Sequence, residues 1–334
     1  MNRFLYSLVL YFSIPFAIFR LLIKDTHDAS WTRKLKNQFG IVEKIPGRVI
    51  WTHCVSVGEF NASKPLIEKL MIQYPNHQII ISTTTITGFN AVNNYYKNNV
   101  KHCFFPFDIP FILDSFIRKI NPEICILLET EIWPNLIHIL KKKNIPTALI
   151  NARLSDKSFQ RYDKYSAKLV KASLNNLSLI CAQNSFSSDR FISLGANQEK
   201  MITTGSLKFD SNNTIDDKSI KTLKKIIGER KITVFASTRE GEEKQIIKSY
   251  INSADNINSL LIIIPRHPER FNEVFKLAKA SGFKVERRSS TLQCSDDTDI
   301  LIGDTMGEMM SYYSVCDLAF IGGSLSDNGC QNML

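Results

Sequence analysis

An acidic side chain follows the first strand-like stretch of the sequence. The run Arg48–Val55 is rich in β-branched residues, and Ser56–Glu59 comes directly after it. A carboxylate in a loop at the end of a strand suits a general base that takes a proton from a hydroxyl group. Glu59 is therefore a candidate catalytic base. The structural alternative is an acid that complements the dipole at a helix amino terminus, where carboxylates are common.

Two more acids follow a second apolar stretch. Glu129–Asn135, with the sequence ETEIWPN, comes after the run Ile124–Leu128. Two acids backed by Trp133 and a proline are unusual for a plain loop, which makes the loop with Glu129 and Glu131 a candidate functional site. In the alternative interpretation, one acid caps the next helix while Trp133 packs.

Basic side chains occur in two further loops. Lys208 lies in Gly205–Asp210, close to a polar stretch that reads as a connector, and its alternative role is a solvated surface charge. Arg266 lies in Pro265–Pro268, directly after an apolar strand. Because arginine forms bidentate pairs with phosphate, Arg266 suits a nucleotide monophosphate better than His267, which is also explained as a packing residue.

Glycine-rich turns complete the set of candidate sites. Gly303–Glu308, GDTMGE, precedes the helix-like run Met309–Ser314, so that backbone N–H groups at a helix start could meet a phosphate. Gly322–Ser324 and Gly329–Asn332 suit a phosphate or a sugar, although each is also explained as a simple turn. None of them is a P-loop or a dinucleotide fingerprint.

The elements that must position these loops alternate between strands and helices. In the first half, Ala62–Ile72 and Phe111–Ile120 have the pattern of helices. The strand-like runs of that half are Arg48–Val55, Gln78–Thr83, His102–Phe105, Ile124–Leu128, Thr147–Asn151, Leu179–Ala182 and Ile202–Thr204. Such alternation predicts a parallel sheet that is covered on both faces.

A second alternation follows the polar stretch Asp210–Lys218. Its probable helix is Arg270–Ala280, and its strand-like runs are Ile232–Ala236, Ser259–Ile264, Lys284–Glu286, Asp299–Ile302 and Leu318–Ile321. We therefore expect two Rossmann-like α/β domains that face each other across a cleft. Ligands of open parallel sheets bind beyond the carboxyl ends of the strands, where all the candidate loops would lie.

Composition narrows the class of partner. The 334 residues are 44% hydrophobic and 22% charged, with a formal net charge of +10, which is ordinary for a globular protein with an acidic partner. No run resembles a nucleic-acid-binding module, so we expect no nucleic acid partner. The seven cysteines contain no C-x-x-C pair and are expected to be reduced core residues. The histidine spacings argue against a metal site built by the protein.

The amino terminus carries an uncharged, strongly apolar run, Phe4–Phe19. No small-residue cleavage site follows it, so we predict a retained membrane anchor at residues 1–24, spanning the bilayer or lying in its interface. Arg3 alone precedes the run, and five basic residues follow it within Arg20–Lys36. The positive-inside rule therefore predicts a cytoplasmic catalytic body on the inner membrane.

In order, these runs resemble the bacterial 3-deoxy-D-manno-oct-2-ulosonic acid (Kdo) transferase family. The resemblance covers the anchor and nearly the whole body. The matching runs are WTHCVSVGEF at 51–60, STTTITGFN at 82–90, ETEIWPNLI at 129–137, INARLS at 150–155, GSLKFD at 205–210, ASTREGEE at 236–243, PRHPERF at 265–271, GDTMGEM at 303–309 and GGS at 322–324.

This resemblance implies a GT-B-type fold: an acceptor-binding domain at 25–209, a linker at 210–218 and a CMP-sugar-binding domain at 219–334. It implies an inverting, metal-independent glycosyltransferase without a cofactor, which moves Kdo from CMP-Kdo to a lipid A precursor, lipid IVA, in lipopolysaccharide core biosynthesis at the inner membrane. The predicted partners are thus the donor CMP-Kdo, the lipid A precursor and membrane lipids.

The resemblance also assigns roles to residues of this sequence. Glu59 matches the family's catalytic base, and Glu129 and Lys208 match positions that stabilise the transition state. Whether Glu129 or Glu131 corresponds to the stabilising acid stays open. The residues that match the CMP-contacting loops are Pro265, Arg266, Met306, Gly307, Glu308, Asn332, Met333 and Leu334.

One departure concerns the carboxyl terminus. Family members usually continue past the run that ends here at Leu334 with an acid and further strands and helices. The expectation is therefore an incomplete second domain, and an inactive, truncated remnant is a competing interpretation. Two further interpretations are a GT-B transferase that uses a different nucleotide sugar, and a hydrolase that pairs Glu59 with Glu129 or Glu131.

Overall fold

The chain forms two compact units. The structure, a computed structural model, describes residues 2–23, 29–210, 217–253 and 259–325. Unit 1 comprises Met1–Ser211 and unit 2 comprises Asn212–Leu334. The division between them falls inside the stretch 210–218, which the polar composition predicts to be a linker.

Unit 1 is built on a seven-stranded parallel sheet. Its strands are β1 (Arg48–His53), β2 (His77–Thr83), β3 (Lys101–Phe104), β4 (Pro122–Leu128), β5 (Thr147–Ala152), β6 (Leu179–Ala182) and β7 (Met201–Thr203). They are arranged in the order β3-β2-β1-β4-β5-β6-β7. The β1 register pairs Trp51 with Ile80 of β2 and with Cys125 of β4.

Eight helices belong to the described part of unit 1. They are α1 (Arg3–Ile23), α2 (Ala29–Gln38), α3 (Val57–Gln73), α4 (Ile86–Tyr96), α5 (Pro110–Ile120), α6 (Pro134–Lys142), α7 (Asp156–Asn176) and α8 (Ser185–Ser193). The local sequence explains where they begin. Ser56, Thr85 and Asn184 are side-chain N-caps of α3, α4 and α8, and Pro110 and Pro134 open α5 and α6, where proline's missing N–H costs nothing.

Unit 2 contains a five-stranded parallel sheet in the order β10-β11-β9-β8-β12. Its strands are β8 (Lys231–Thr238), β9 (Ser259–Pro265), β10 (Val285–Arg287), β11 (Ile300–Ile302) and β12 (Leu318–Ile321). Its helices are α9 (Asp217–Ile227), α10 (Glu242–Ser253), α11 (Phe271–Ala280) and α12 (Met309–Val315). All twelve predicted strands are thus confirmed, with ends that differ by three residues or fewer.

The central strands of each sheet are buried on both faces. In β9, Leu260 and Ile262 contribute to one apolar cluster, and Leu261 and Ile263 to another on the opposite face. Because successive strand side chains point to opposite faces, a continuous apolar run of this kind belongs to a sheet that helices cover on both sides. The prediction of doubly covered parallel sheets is confirmed.

The first helix, α1, contains the apolar run at the amino terminus. Tyr6 donates a hydrogen bond to Asp108 (2.9 Å), and Ser7 donates one to Asn135 (3.0 Å), so the first turns of α1 are fixed to unit 1. Within the described residues, no helix is both long enough and apolar enough to cross a membrane. The apolar run Phe4–Phe19 therefore forms a helix, and the membrane anchor predicted for residues 1–24 is not supported.

Candidate active site

The topology of unit 1 creates a switch point between β1 and β4. From β1 the chain proceeds through β2 to β3 on one side, and then returns to place β4 on the other side of β1. In open parallel sheets, such a reversal opens a crevice at the carboxyl ends of the two strands. The Glu59 loop follows β1, and the Glu129 loop follows β4. The topology thus brings together the two acidic loops that the sequence singles out.

Glu59 lies in the first turn of α3 and is buried, with 9% of its surface exposed. Its carboxylate accepts hydrogen bonds from the backbone N–H of Val55 (2.8 Å) and from the hydroxyl group of Ser56 (3.2 Å), and Ser56 in turn caps the helix. The helix-terminus role considered for Glu59 is therefore present. Burial, and next the charge of Glu129, raise the pKa of Glu59, which suits a proton acceptor in the same position.

Glu129 and Glu131 occupy the loop between β4 and α6. Glu129 has φ +55°, a left-handed conformation that a residue other than glycine adopts only at a cost. Its backbone N–H is fixed by the carbonyl of Ile150 (3.0 Å). Burial, together with the charges of Glu59 and Glu129, raises the pKa of Glu131 to about 7. Three acidic side chains therefore interact electrostatically beyond β1 and β4.

His53, the last residue of β1, belongs to the same cluster and was not predicted from the sequence. Its ring is fully buried and stacks on Phe105, with ring centroids 3.9 Å apart. The Nε2 atom of His53 lies 3.9 Å from Oε2 of Glu131. Burial lowers the pKa of His53 to about 3, so the ring is neutral at physiological pH. His53 could have been found from its position at the carboxyl end of a buried strand, where ligand-binding residues of parallel sheets lie.

Lys208 lies in a short 3-10 turn, Leu207–Asp210, at the end of unit 1. This turn packs against α3, the helix that carries Glu59. Asn151 of β5 holds the turn, because its side-chain oxygen accepts the N–H of Leu207 (3.1 Å). Asn151 also has φ +55°. Its positioning role was not predicted either, although a polar residue within a buried strand could have indicated it.

Unit 2 has its own switch point, between β8 and β12. A buried acid forms hydrogen bonds with the loops at this point. Glu242, fully buried in the first turn of α10, accepts hydrogen bonds from the backbone N–H groups of Arg239 (2.8 Å), Gly323 (2.8 Å) and Leu325 (3.0 Å). Gly322 approaches β8 so closely that an added Cβ would lie 2.4 Å from the carbonyl oxygen of Ser237. The Gly322–Ser324 turn is therefore fixed to the end of β8.

Arg266 follows β9, where Pro265 is the buried last residue. The backbone N–H of Arg266 donates to the carbonyl of Thr238 (2.9 Å), while the residue itself is exposed. His267 is also exposed, with 53% of its side chain accessible, so the interpretation of His267 as a packing residue is wrong. The guanidinium group of Arg266 is thus accessible to a ligand at the carboxyl end of β9.

In the loop after β11, Met306 and Gly307 are open to solvent, whereas the side chain of Glu308 is held by other residues of unit 2. Met306 is 72% exposed, and Gly307 has φ +83° with no atom within 4 Å of a Cβ placed there. The carboxylate of Glu308 accepts hydrogen bonds from Arg288 (2.7 Å) and from the hydroxyl group of Thr305. Since β9 and β11 are neighbours in the sheet, this loop and the Arg266 loop lie at adjacent strand ends.

The remaining predicted contacts fall beyond the described part of the chain. Asn332, Met333 and Leu334, and the turn Gly329–Asn332, lie outside the described residues. In the described ranges, no group of three or more His, Cys, Asp or Glu side chains is arranged to hold a metal ion.

The fold and its strand-end loops define the class of protein. Two Rossmann-like units with parallel sheets make this an α/β protein of the GT-B type. The fold is similar to that of UDP-GlcNAc 2-epimerase from Neisseria meningitidis (TM-score 0.52, 12% identity, 80% of this chain and 74% of the epimerase chain). A putative epimerase of this kind from Listeria monocytogenes gives the same TM-score, 0.52, over 81% of this chain and 73% of its own.

Sequence comparisons identify the family. A model of the 3-deoxy-D-manno-octulosonic-acid transferase (kdotransferase) family matches residues 33–211. The whole chain is 38% identical to 3-deoxy-D-manno-octulosonic acid transferase of Haemophilus influenzae, of which it spans 79%. Over 96% of its length it is 34% identical to a bifunctional glycosyltransferase/methyltransferase of Fusobacterium nucleatum, of which it spans 50%. The chain belongs to the Kdo transferase family and is a glycosyltransferase, as the resemblance in the sequence implied.

Proposed function

We propose that this chain transfers Kdo from CMP-Kdo to a lipid A precursor, lipid IVA, with inversion at the anomeric carbon and without a metal ion, in lipopolysaccharide core biosynthesis. Membership of the Kdo transferase family supports the sugar that is transferred. The observation that carries the reaction is the position of Glu59, a buried acid of raised pKa at the switch point of unit 1.

Glu59 acts as the general base in this proposal. Hydrogen bonds from Val55 and Ser56 orient its carboxylate. A raised pKa makes the ionised carboxylate a stronger proton acceptor. It takes the proton of an acceptor hydroxyl group while the oxygen attacks the anomeric carbon. The bond from that carbon to the CMP oxygen breaks, and its electron pair leaves with the phosphate.

In this step a positive charge develops on the sugar and a negative charge on the departing phosphate, so the site needs an anionic and a cationic group. Glu129 faces the positive charge of the sugar, while Lys208 and Arg266 meet the negative charge of the phosphate. Arg266 is exposed and suits a bidentate contact with phosphate. Pro265, Met306, Gly307 and the backbone at Glu308 are assigned to the CMP site.

The acceptor is borne by a lipid, and the proposed location is the cytoplasmic face of the inner membrane. Several apolar side chains of α1 are exposed, among them Phe4 (77%) and Phe12 (78%). An apolar helix face of this kind, followed by basic residues, suits association with an anionic membrane interface. We therefore assign membrane lipids as a further partner.

Product analysis tests the proposal. The full chain is incubated with radiolabelled CMP-Kdo and lipid IVA in detergent, with and without EDTA, and the lipids are separated by thin-layer chromatography. We expect a slower-migrating Kdo-lipid in both samples, and no transfer from UDP-GlcNAc under the same conditions. Release of CMP that does not depend on lipid IVA would indicate a hydrolase, and the absence of any Kdo-lipid would reject the proposed transfer.

A further inference from the structure

A polar ring inside an aromatic enclosure raises the question of how its two nitrogen atoms are satisfied. His53 is fully buried, its ring stacks on Phe105, and the edge of the ring faces Trp133 at a centroid distance of 6.4 Å. Buried polar atoms are almost always hydrogen-bonded, because leaving one unpaired costs about 1–3 kcal/mol. The protonation state of His53 can therefore be worked out from its surroundings.

The contacts of Nδ1 favour a ring proton on that atom of His53. This atom lies 3.1 Å from the backbone carbonyl oxygen of Ser82 and 3.0 Å from the hydroxyl oxygen of the same residue, which already accepts a hydrogen bond from Trp51 (2.8 Å). A carbonyl oxygen only accepts, so a hydrogen bond between this oxygen and Nδ1 needs an N–H donor on Nδ1, whereas the hydroxyl group of Ser82 can donate or accept. In a neutral imidazole the other nitrogen, Nε2, then has a lone pair and no proton.

The bare Nε2 atom needs a donor, and one acid is in place to supply it. Among the described residues, Nε2 has no hydrogen-bond partner, but Oε2 of Glu131 lies 3.9 Å away. An ionised carboxylate would turn a second acceptor toward the lone pair, whereas a protonated carboxyl group would turn an O–H toward it. At 3.9 Å the two atoms are not yet hydrogen-bonded, so the Glu131 carboxyl group has to move toward Nε2 to form the bond.

The charged surroundings favour the same protonation state. Glu131 faces Glu59 of α3, Glu129 of its own loop, Tyr162 of α7 and His53 of β1. Two of these neighbours are carboxylates, and no member of the group is cationic at neutral pH. Burial is the largest cause that raises the pKa of Glu131, the charges of Glu59 and Glu129 act in the same direction, and a hydrogen bond from Trp133 opposes them; together they bring the pKa to about 7. An ionised Glu131 would in turn make the loss of a proton from Glu59 harder.

We propose that His53 and Glu131 share one proton, held by the Glu131 carboxyl group and directed at Nε2 of His53, and that this pair leaves Glu59 facing a single anion, Glu129. Glu131 and His53 are then positioning residues that set the pH at which the base ionises. The part of this inference that concerns Glu59 rests on the proposed function, whereas the shared proton does not.

The shared proton can be tested in the wild-type chain without any substrate. The protein is labelled with 15N-histidine, and the two ring nitrogens of each histidine are assigned from two-bond 1H–15N correlation spectra at pH 6. We expect His53 to show a protonated Nδ1 and an unprotonated, hydrogen-bonded Nε2. A spectrum with the proton on Nε2, or with both nitrogens protonated, would overturn the pair.

The effect on the base is tested through the pH dependence of kcat. His53→Phe keeps an aromatic ring but loses the acceptor atom Nε2, so Glu131 should ionise at lower pH. The negative charge of Glu131 then raises the pKa of Glu59, which should shift the acid limb of the kcat profile upward by about 1 pH unit. Adding Glu131→Gln, which removes the charge, should return the limb to the wild-type position. A structural defect at His53 would not be rescued in this way, so an unrescued shift, or no shift in His53→Phe, contradicts the proposal.

The two assays separate this inference from the proposed function. If the wild-type chain makes no Kdo-lipid, the proposed function fails, yet the nitrogen spectra still decide whether the proton is shared. If His53→Phe does not fold, the spectra of the wild-type chain again decide. Normal turnover with the wrong tautomer would reject the pair and leave the transferase assignment intact.

Discussion

Both units place acidic side chains at the carboxyl ends of parallel strands, but the partners of these side chains differ. In unit 1, Glu59 is held by uncharged donors, and burial raises its pKa. In unit 2, Glu243 forms a bidentate ion pair with Arg270 (2.8 and 3.1 Å), and Glu308 pairs with Arg288. Glu242 of unit 2 is also held by uncharged donors, but it is fully buried, whereas Glu59 keeps 9% of its surface exposed. An acid with a raised pKa that a substrate can reach remains available for proton transfer, whereas an ion-paired or fully enclosed carboxylate stabilises a loop.

This difference indicates that the two units have different roles in the proposed reaction. The acids of unit 1 suit chemistry on a hydroxyl group, while the fixed loops of unit 2 leave Arg266 exposed for an anionic ligand. Substitution of an acid that holds a loop in unit 2 should therefore reduce the stability of the protein. Substitution of the acids in unit 1 should mainly alter the rate of the reaction and its pH dependence.

The largest effect on stability is expected for Glu242→Ala. The change removes the acceptor for the backbone N–H groups of Arg239, Gly323 and Leu325, and each such group that is left unpaired costs about 1–3 kcal/mol. We expect a loss of about 3–5 kcal/mol in urea denaturation, with faster hydrogen exchange in residues 318–325. The exposed Glu240→Ala is the matched control. Equal stability of the two variants would contradict the role given to Glu242.

The next effect concerns the affinity for the donor. Arg266→Ala removes an exposed guanidinium group that the proposal places on the CMP phosphate, a charge-assisted contact of about 1.5–3 kcal/mol. We expect CMP to bind roughly 10- to 100-fold more weakly by isothermal titration calorimetry, with unchanged thermal stability. The neighbouring His267→Ala serves as the control. Unchanged CMP affinity in Arg266→Ala would remove Arg266 from the nucleotide site.

A smaller effect is expected from a single methyl group at Gly322. The Cβ of an alanine there would meet the Ser237 carbonyl oxygen at 2.4 Å and the Thr238 Cα at 2.8 Å, both of them backbone atoms that cannot rotate away. We expect Gly322→Ala to reduce the free energy of unfolding by about 1–3 kcal/mol. In Gly58→Ala the methyl group meets its nearest atom at 3.7 Å, so no loss is expected. A loss of the same size in both variants would show that contact distance is not the cause.

The smallest effect is a change in how stability depends on pH. Because the pKa of Glu131 is raised to about 7 in the folded chain, the folded state binds a proton that the unfolded chain has already released between about pH 4.5 and 7. Stability therefore falls as pH rises through this window. The free energy of unfolding is measured for the wild-type chain and for Glu131→Gln at pH 5 and at pH 8. Between these two pH values, the wild-type chain should lose about 1–2 kcal/mol more than the variant. A constant difference would contradict the raised pKa.

Much of this architecture could be predicted from the sequence. The short, β-branched apolar runs that become β4 and β9 are typical of strands buried on both faces, so the parallel sheet that helices cover on both sides could be predicted from the sequence. The position of Glu59 at a helix start follows from Ser56 and the strand before it. Each of these predictions depends on neighbours within a few residues along the chain.

The remaining features depend on contacts between distant parts of the sequence. His53 and Glu131 come together because β4 returns beside β1, and Asn151 reaches Leu207 across more than fifty positions. The exposed fraction of His267 and the ion pair of Glu308 likewise depend on tertiary packing. Periodicity and local motifs do not encode such pairings, which is why His53 and Asn151 were missed and the packing role of His267 was wrong.

The most direct test of the account compares Glu59→Gln with the wild-type chain in single-turnover experiments at saturating CMP-Kdo and lipid IVA. The amide keeps the size of the side chain but cannot take a proton. We predict a rate lower by about 10²- to 10⁴-fold, with CMP affinity unchanged by calorimetry. A rate within a few-fold of wild type would contradict the assignment of the base to unit 1.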